Sequence, residues 1–160
     1  MNIEDIRAKF NDGKELSYEE SDFLIEYCYQ KETTKTVTEE EIFKKYPKIF
    51  GDKDKPMTET CMCWGLGVPD AWLPIIDELC DAMTHCTYTS YCSEIKGGVK
   101  FPQVVAEQVK SKFNRLRFYY RLEYEQEGIP DSIAGGHMKY IDGMIAYAEN
   151  RIYRLEQKSN

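Results

Sequence analysis

Arg115, Arg117 and Arg121, with Tyr119 among them, alternate along the chain with Leu116, Phe118, Tyr120 and Leu122. A period of two puts the first set on one face of a β-strand and the second on the other. Guanidinium forks bind phosphate or carboxylate through paired hydrogen bonds, and a tyrosine between them adds a stacking surface or a hydroxyl. Lys110 and Lys112, just upstream, add two cations if the element that carries them packs nearby. A solvated strand face, its arginines paired with the carboxylates of residues 70–81, explains the same pattern.

Trp64 and Trp72 flank Gly65, Gly67 and Pro69. They can form an aromatic wall for a base or a partner's side chain, or pack as a lid over the core. Gly65-Leu66-Gly67 lacks the third glycine and the lysine of a phosphate loop. The six cysteines, at 28, 61, 63, 80, 86 and 92, read as thiols, because no secretory signal precedes them. Cys61-Met62-Cys63 has a one-residue gap where zinc sites use two, so neither metal nor cofactor is expected. His85 and His137 are the only histidines and sit in no hydrolase motif. Asp77 and Asp81, one helical turn apart, read as an exposed helix face. No catalytic residue is assigned, and nucleotide hydrolysis is the least supported activity.

Charge narrows the partners. The net charge of −7 is unevenly spread: residues 96–121 hold seven Lys or Arg against Glu107 alone, whereas residues 61–95 hold five acids and no Lys or Arg. An acidic chain with one concentrated basic segment is a poor general nucleic-acid binder, but it can hold a discrete anion or an acidic partner. No run approaches the ~18 apolar residues of a membrane span, and the first residues are no signal peptide, so a cytoplasmic location is expected.

The elements that must position these residues read as α+β and helix-rich, in a single domain over 1–160. Ile3, Ile6 and Phe10 mark a short helix ending at Asn11-Asp12-Gly13. Ser17 with Glu20, and Thr38 with Glu41, are capping boxes that open two more helices. These three form a helical N-terminal addition over 1–50, an N-terminal cap. Trp72, Ile75, Ile76, Leu79, Cys80 and Met83 recur at helical spacing and predict a core helix over 71–84. Thr and Tyr between Cys86 and Cys92 favour a strand over 86–92, a candidate antiparallel partner for the strand 115–122, although the preceding helix can also continue into it. Val105, Val109 and Phe113 share a helical face, so 103–113 is read as a helix ending at Asn114, with a strand as the competing reading. Residues 123–136 read as a polar loop, and Ile141, Ile145, Ala148, Ile152 and Leu155 predict a helix over 138–157.

Several ordered words then carry a resemblance: Met62-Cys63-Trp64-Gly65, Trp72-Leu73-Pro74-Ile75-Ile76-Asp77-Glu78-Leu79-Cys80, Gln108-Val109-Lys110-Ser111-Lys112-Phe113, Leu116-Arg117-Phe118-Tyr119-Tyr120 and Ile141-Asp142-Gly143-Met144-Ile145. Over about residues 61–152 the chain resembles an uncharacterised family of small proteins encoded by tailed phages and prophages. Pro69-Asp70-Ala71 replaces a common Gly-Asp-Gly, Asn114 replaces a common Gly, and the C-terminal cysteine pair of many relatives is missing. The resemblance implies a family core over 61–157 and a phage accessory protein in the host bacterial cytoplasm. Such proteins often block a host defence protein or sequester a nucleotide signal. No activity or site residue comes with it, and self-association stays open.

Overall fold

A computed structural model describes residues 1–32, 36–88 and 99–159. The chain divides into two compact units, Met1–Thr36 and Val37–Asn160. The boundary falls inside the segment 1–50 read from sequence as one helical addition. The first unit holds α1 (Ile3–Asn11) and α2 (Tyr18–Glu32), which pack against each other. Ser17 and Glu20 form the expected capping box, with the Glu20 amide donating to Ser17 Oγ at 3.1 Å and the Ser17 amide to Glu20 Oε2 at 2.8 Å.

The second unit contains α3 (Glu39–Lys45), single 3-10 turns at Met62–Trp64 and Asp70–Trp72, α4 (Leu73–Tyr88), β1 (Gln103–Lys112), β2 (Arg115–Glu123) and α5 (Asp131–Ser159). Thr38 caps α3 by accepting from the Glu41 amide. The α+β class is observed: a two-stranded antiparallel sheet with helices packed against it. Its inner face, Val104, Ala106 and Val109 of β1 with Leu116 and Phe118 of β2, joins one buried cluster with Ile76, Leu79 and Met83 of α4 and Ile141, Ile145 and Ile152 of α5. Ile42, Tyr46, Ile49 and Phe50 enter the same cluster, so α3 and the chain after it are core material of this unit.

Three sequence expectations are corrected. Residues 103–113 form a strand, not a helix. A bulge at Glu107, between the Ala106↔Tyr120 and Gln108↔Tyr119 pairs, adds a residue to β1 and shifts its alternation. Val105 is also buried, on the outer face, so the buried set takes an i, i+4 spacing that imitates a helix. Among the described residues, β1 is therefore the antiparallel partner of the strand expected at 115–122. Cys86–Tyr88 belong to α4, which runs past the expected end at 84, and 89–92 lie outside the described residues. The last helix begins at Asp131, so the loop expected to reach 136 stops near Pro130. Gly135 and Gly136 each cost about 1 kcal/mol in a helix. Packing of the α5 face, including wholly buried His137, outweighs that.

The two tryptophans separate. Trp72 is fully buried, and its Nε1 donates to Glu156 Oε1 at 2.6 Å, tying the start of α4 to the end of α5. Trp64 is 75% exposed. Trp72→Ala is therefore expected to cost about 3–5 kcal/mol of unfolding free energy, and Trp64→Ala no more than about 0.5 kcal/mol. Urea titrations of the two variants check this contrast.

Candidate functional site

The site expected at the basic strand rests on β1, which is hydrogen-bonded along both edges. One edge pairs with β2. On the other, the Ala106 amide donates to the Ile49 carbonyl at 2.8 Å, and Gly67 bridges to Val109 and Ser111 at 3.0 and 2.8 Å. Glu39 Oε1 accepts from the Leu66 amide at 2.8 Å, and Gly65 beside it has φ +76°. A Cβ there would collide with the Glu39 carboxylate. Neither strand of the sheet can shift without breaking these contacts.

The register sets out the outer face. Lys112 lies opposite Arg115, Lys110 opposite Arg117, Gln108 opposite Tyr119, and Val105 opposite Arg121. The expected residues Lys110, Lys112, Arg115, Arg117 and Tyr119 thus share one surface. Arg121 is on the same face but is used internally. Its two Nη atoms reach Asp52 Oδ2 at 2.5 Å and Oδ1 at 3.1 Å, and Nη2 also meets Glu123 at 2.9 Å. Asp52 is 5% exposed and takes Lys55 as well, at 2.8 Å. The face is divided: its Arg121 end is closed by the chain around Asp52, and its turn end is open.

At the open end the cations have different neighbours. Lys110 Nζ lies 5.9 Å from the Tyr119 ring centroid, and the Arg115 guanidinium lies 5.1 Å from that of Tyr153 on α5. Neither these two nor Lys112 and Arg117 make an ion pair with a carboxylate among the described residues. Two acids of residues 70–81 are engaged elsewhere, Asp77 with Lys45 and the Tyr46 hydroxyl and Glu78 with Arg151 at 2.6 Å, and Asp70 and Asp81 pair with no arginine of the strand. That removes the expected internal neutralisation of the strand by those acids.

Trp64 lines a shallow depression with Glu39, Phe43, Lys53 and Asp54, and buried Trp72 cannot form a wall with it. Cys61 and Cys63 are thiols near the surface, Cys80 and Cys86 are buried, and burial raises the Cys80 thiol above its ordinary range. Among the described residues no group of three His, Cys, Asp or Glu side chains could hold a metal ion. His137 Nδ1 lies 2.7 Å from the Tyr124 hydroxyl inside the fold.

Sequence reasoning missed Asp52, which sits in a polar segment with nothing local to mark a buried carboxylate. It also missed Phe113, placed on a helix face but in fact 84% exposed at the hairpin turn. A signal for the turn was present: two alternating runs separated by two residues, the second an Asn.

No protein-family model matches the chain, and comparison with curated proteins and with solved structures gives no match. No helix among the described residues is long and apolar enough to cross a membrane.

The Arg121 hydrogen bonds hold the Asp52 carboxyl at about 2, below its ordinary 3.8. Stability from this pair is complete above the unfolded value and is lost as pH falls from about 4 through about 2. Asp52→Asn is expected to lower unfolding free energy near neutral pH by about 1–3 kcal/mol. It should also flatten the acid limb, as measured by urea midpoints across that window.

Proposed function

We propose that this chain is a phage accessory protein that acts by binding, blocking a bacterial defence protein or host factor in the host cytoplasm. The open end of the hairpin's outer face is its contact surface. One observation carries the binding part: Lys110, Lys112, Arg115 and Arg117 share that surface with no carboxylate partner among the described residues. Four cations set side by side on a braced sheet repel one another until an anion arrives. The phage part rests on the resemblance over residues 61–152.

Sequestration of a nucleotide signal is the second reading, favoured by Tyr119, 46% exposed beside the Lys110–Arg117 pair. Trp64 remains available to such a ligand, but Trp72, buried in the core, does not. Hydrolysis of a nucleotide is the third reading, and no group of side chains described above supports it.

Incubation of the purified protein with cyclic and ADP-ribose-type nucleotides, followed by heating to release ligand, separates the three. Retention of neither nucleotide class, with a host protein co-purifying, supports the leading reading. Recovery of intact nucleotide supports sequestration, and recovery of altered nucleotide supports an enzyme. Arg117→Glu is expected to abolish the interaction while leaving the urea-derived stability within about 0.5 kcal/mol of wild type, because Arg117 makes no ion pair among the described residues. An interaction that survives Arg117→Glu overturns the assignment of the contact surface.

A further inference from the structure

The hairpin turn carries a backbone outlier that the fold does not require. Phe113 has φ 53° and Asn114 φ 56°, the pair of positive φ values of a two-residue type I′ turn. Asn accepts that conformation readily; for a bulky residue such as Phe it is strained by about 1–3 kcal/mol. Asn-Gly would make the same turn without strain. The Phe113 ring is 84% exposed, with Lys112 Nζ 5.7 Å from its centroid.

The strands beside the turn add a second local cost. Lys112 is directly opposite Arg115, and Lys110 directly opposite Arg117. Like charges facing across antiparallel strands destabilise a sheet, and here two such rungs follow each other. From the turn inward the strip reads Phe113 in the turn with the Lys112 ammonium by its ring, then two cation rungs and Tyr119, and it ends where Asp52 holds Arg121. Strain and repulsion concentrated on one exposed strip point to a ligand that relieves them.

The order of groups specifies that ligand. Successive rungs on one face are about 7 Å apart, so both are filled together by a chain with repeated anionic groups. Exposed rings at either end give flat surfaces on which bases stack regardless of sequence. Repulsion from the acidic remainder of the chain disfavours a long duplex, which leaves a short single strand.

We infer that the outer face of the β1–β2 hairpin binds a short single-stranded oligonucleotide. Its phosphates lie on the Lys112–Arg115 and Lys110–Arg117 rungs, and its bases stack on Phe113 and Tyr119. This rests on the reading of that face as the contact surface and goes beyond it, giving the same cations a nucleic-acid ligand. Phe113 and Tyr119 act by contact area, and the cations act by releasing counterions from the strand.

The test is fluorescence anisotropy of the full chain with labelled oligothymidylate and oligouridylate of about ten nucleotides over a salt series. Binding is expected with a slope of log affinity against log salt of about −3, for contacts from Lys110, Lys112, Arg115 and Arg117. Arg117→Ser should reduce that slope by about 0.7. Tyr119→Ala should weaken binding about tenfold. Phe113→Asn should also weaken it about tenfold, while raising the urea midpoint by removing the turn strain. A variant that is more stable yet binds worse separates contact from folding. The inference is overturned by no binding at low salt, or by affinity indifferent to Phe113→Asn and Tyr119→Ala. Binding to phosphatidylglycerol vesicles that depends on Phe113, without oligonucleotide binding, also overturns it. A host protein retained through Arg117, with no oligonucleotide bound, sinks this inference but leaves the contact-surface reading intact.

Discussion

The pairing of Asp52 with Arg121 decides how the basic strand is used. A carboxylate buried at the edge of the sheet takes both Nη atoms of one arginine and draws Lys55 in beside it. Burying that carboxylate unpaired would be costly, so the arginine cannot be withdrawn for other work. The chain from Ile49 to Lys55 is thereby fixed beside the sheet, with the Ile49 carbonyl on the Ala106 amide and Asp52 on Arg121. Cations nearer the turn are left with no such partner. A basic face of uniform appearance in sequence becomes a structural half and an open half.

The open half depends on the rest of the fold for its rigidity. β1 gives its hydrogen bonds to β2 on one edge and to Ile49 and Gly67 on the other, and the apolar inner face packs on α4 and α5. Tyr120 reinforces this from within, donating to Asp142 at 2.7 Å and to the Met138 carbonyl at 3.1 Å. Four cations held on such a scaffold do not spread to reduce their repulsion. They are organised before a ligand arrives, which lowers the entropy lost on binding.

Sequence was legible where local rules decide structure. The capping box at Ser17, the N-cap at Thr38, the core face of α4 and the alternation of β2 follow from side-chain spacing and hydrogen-bond chemistry, and all are present. Reading failed where distant contacts decide. The bulge at Glu107 gave β1 a burial pattern with two periods, and only pairing with β2 selects the strand. Gly135 and Gly136 read as a loop, yet packing of His137 and Ile141 carries the helix through them. At the site, the alternation placed Arg115, Arg117 and Tyr119 on one face correctly. It could not separate Arg121 from them, because Asp52 is remote in sequence. It also left open whether the two tryptophans form a wall or a lid, although Trp72 already stood on the predicted core face of the helix over 71–84 and Trp64 did not.

The strained turn and the two like-charge rungs become intelligible together if the hairpin is a surface kept ready for an anion. The most direct measurement is a residue-resolved amide NMR titration of the full chain with a short oligothymidylate. The account predicts chemical-shift changes confined to Lys110, Lys112, Phe113, Arg115, Arg117 and Tyr119, with Asp52 and Arg121 unmoved. Shifts centred on Asp52 and Arg121, on the Trp64 depression, or nowhere on the hairpin would contradict it.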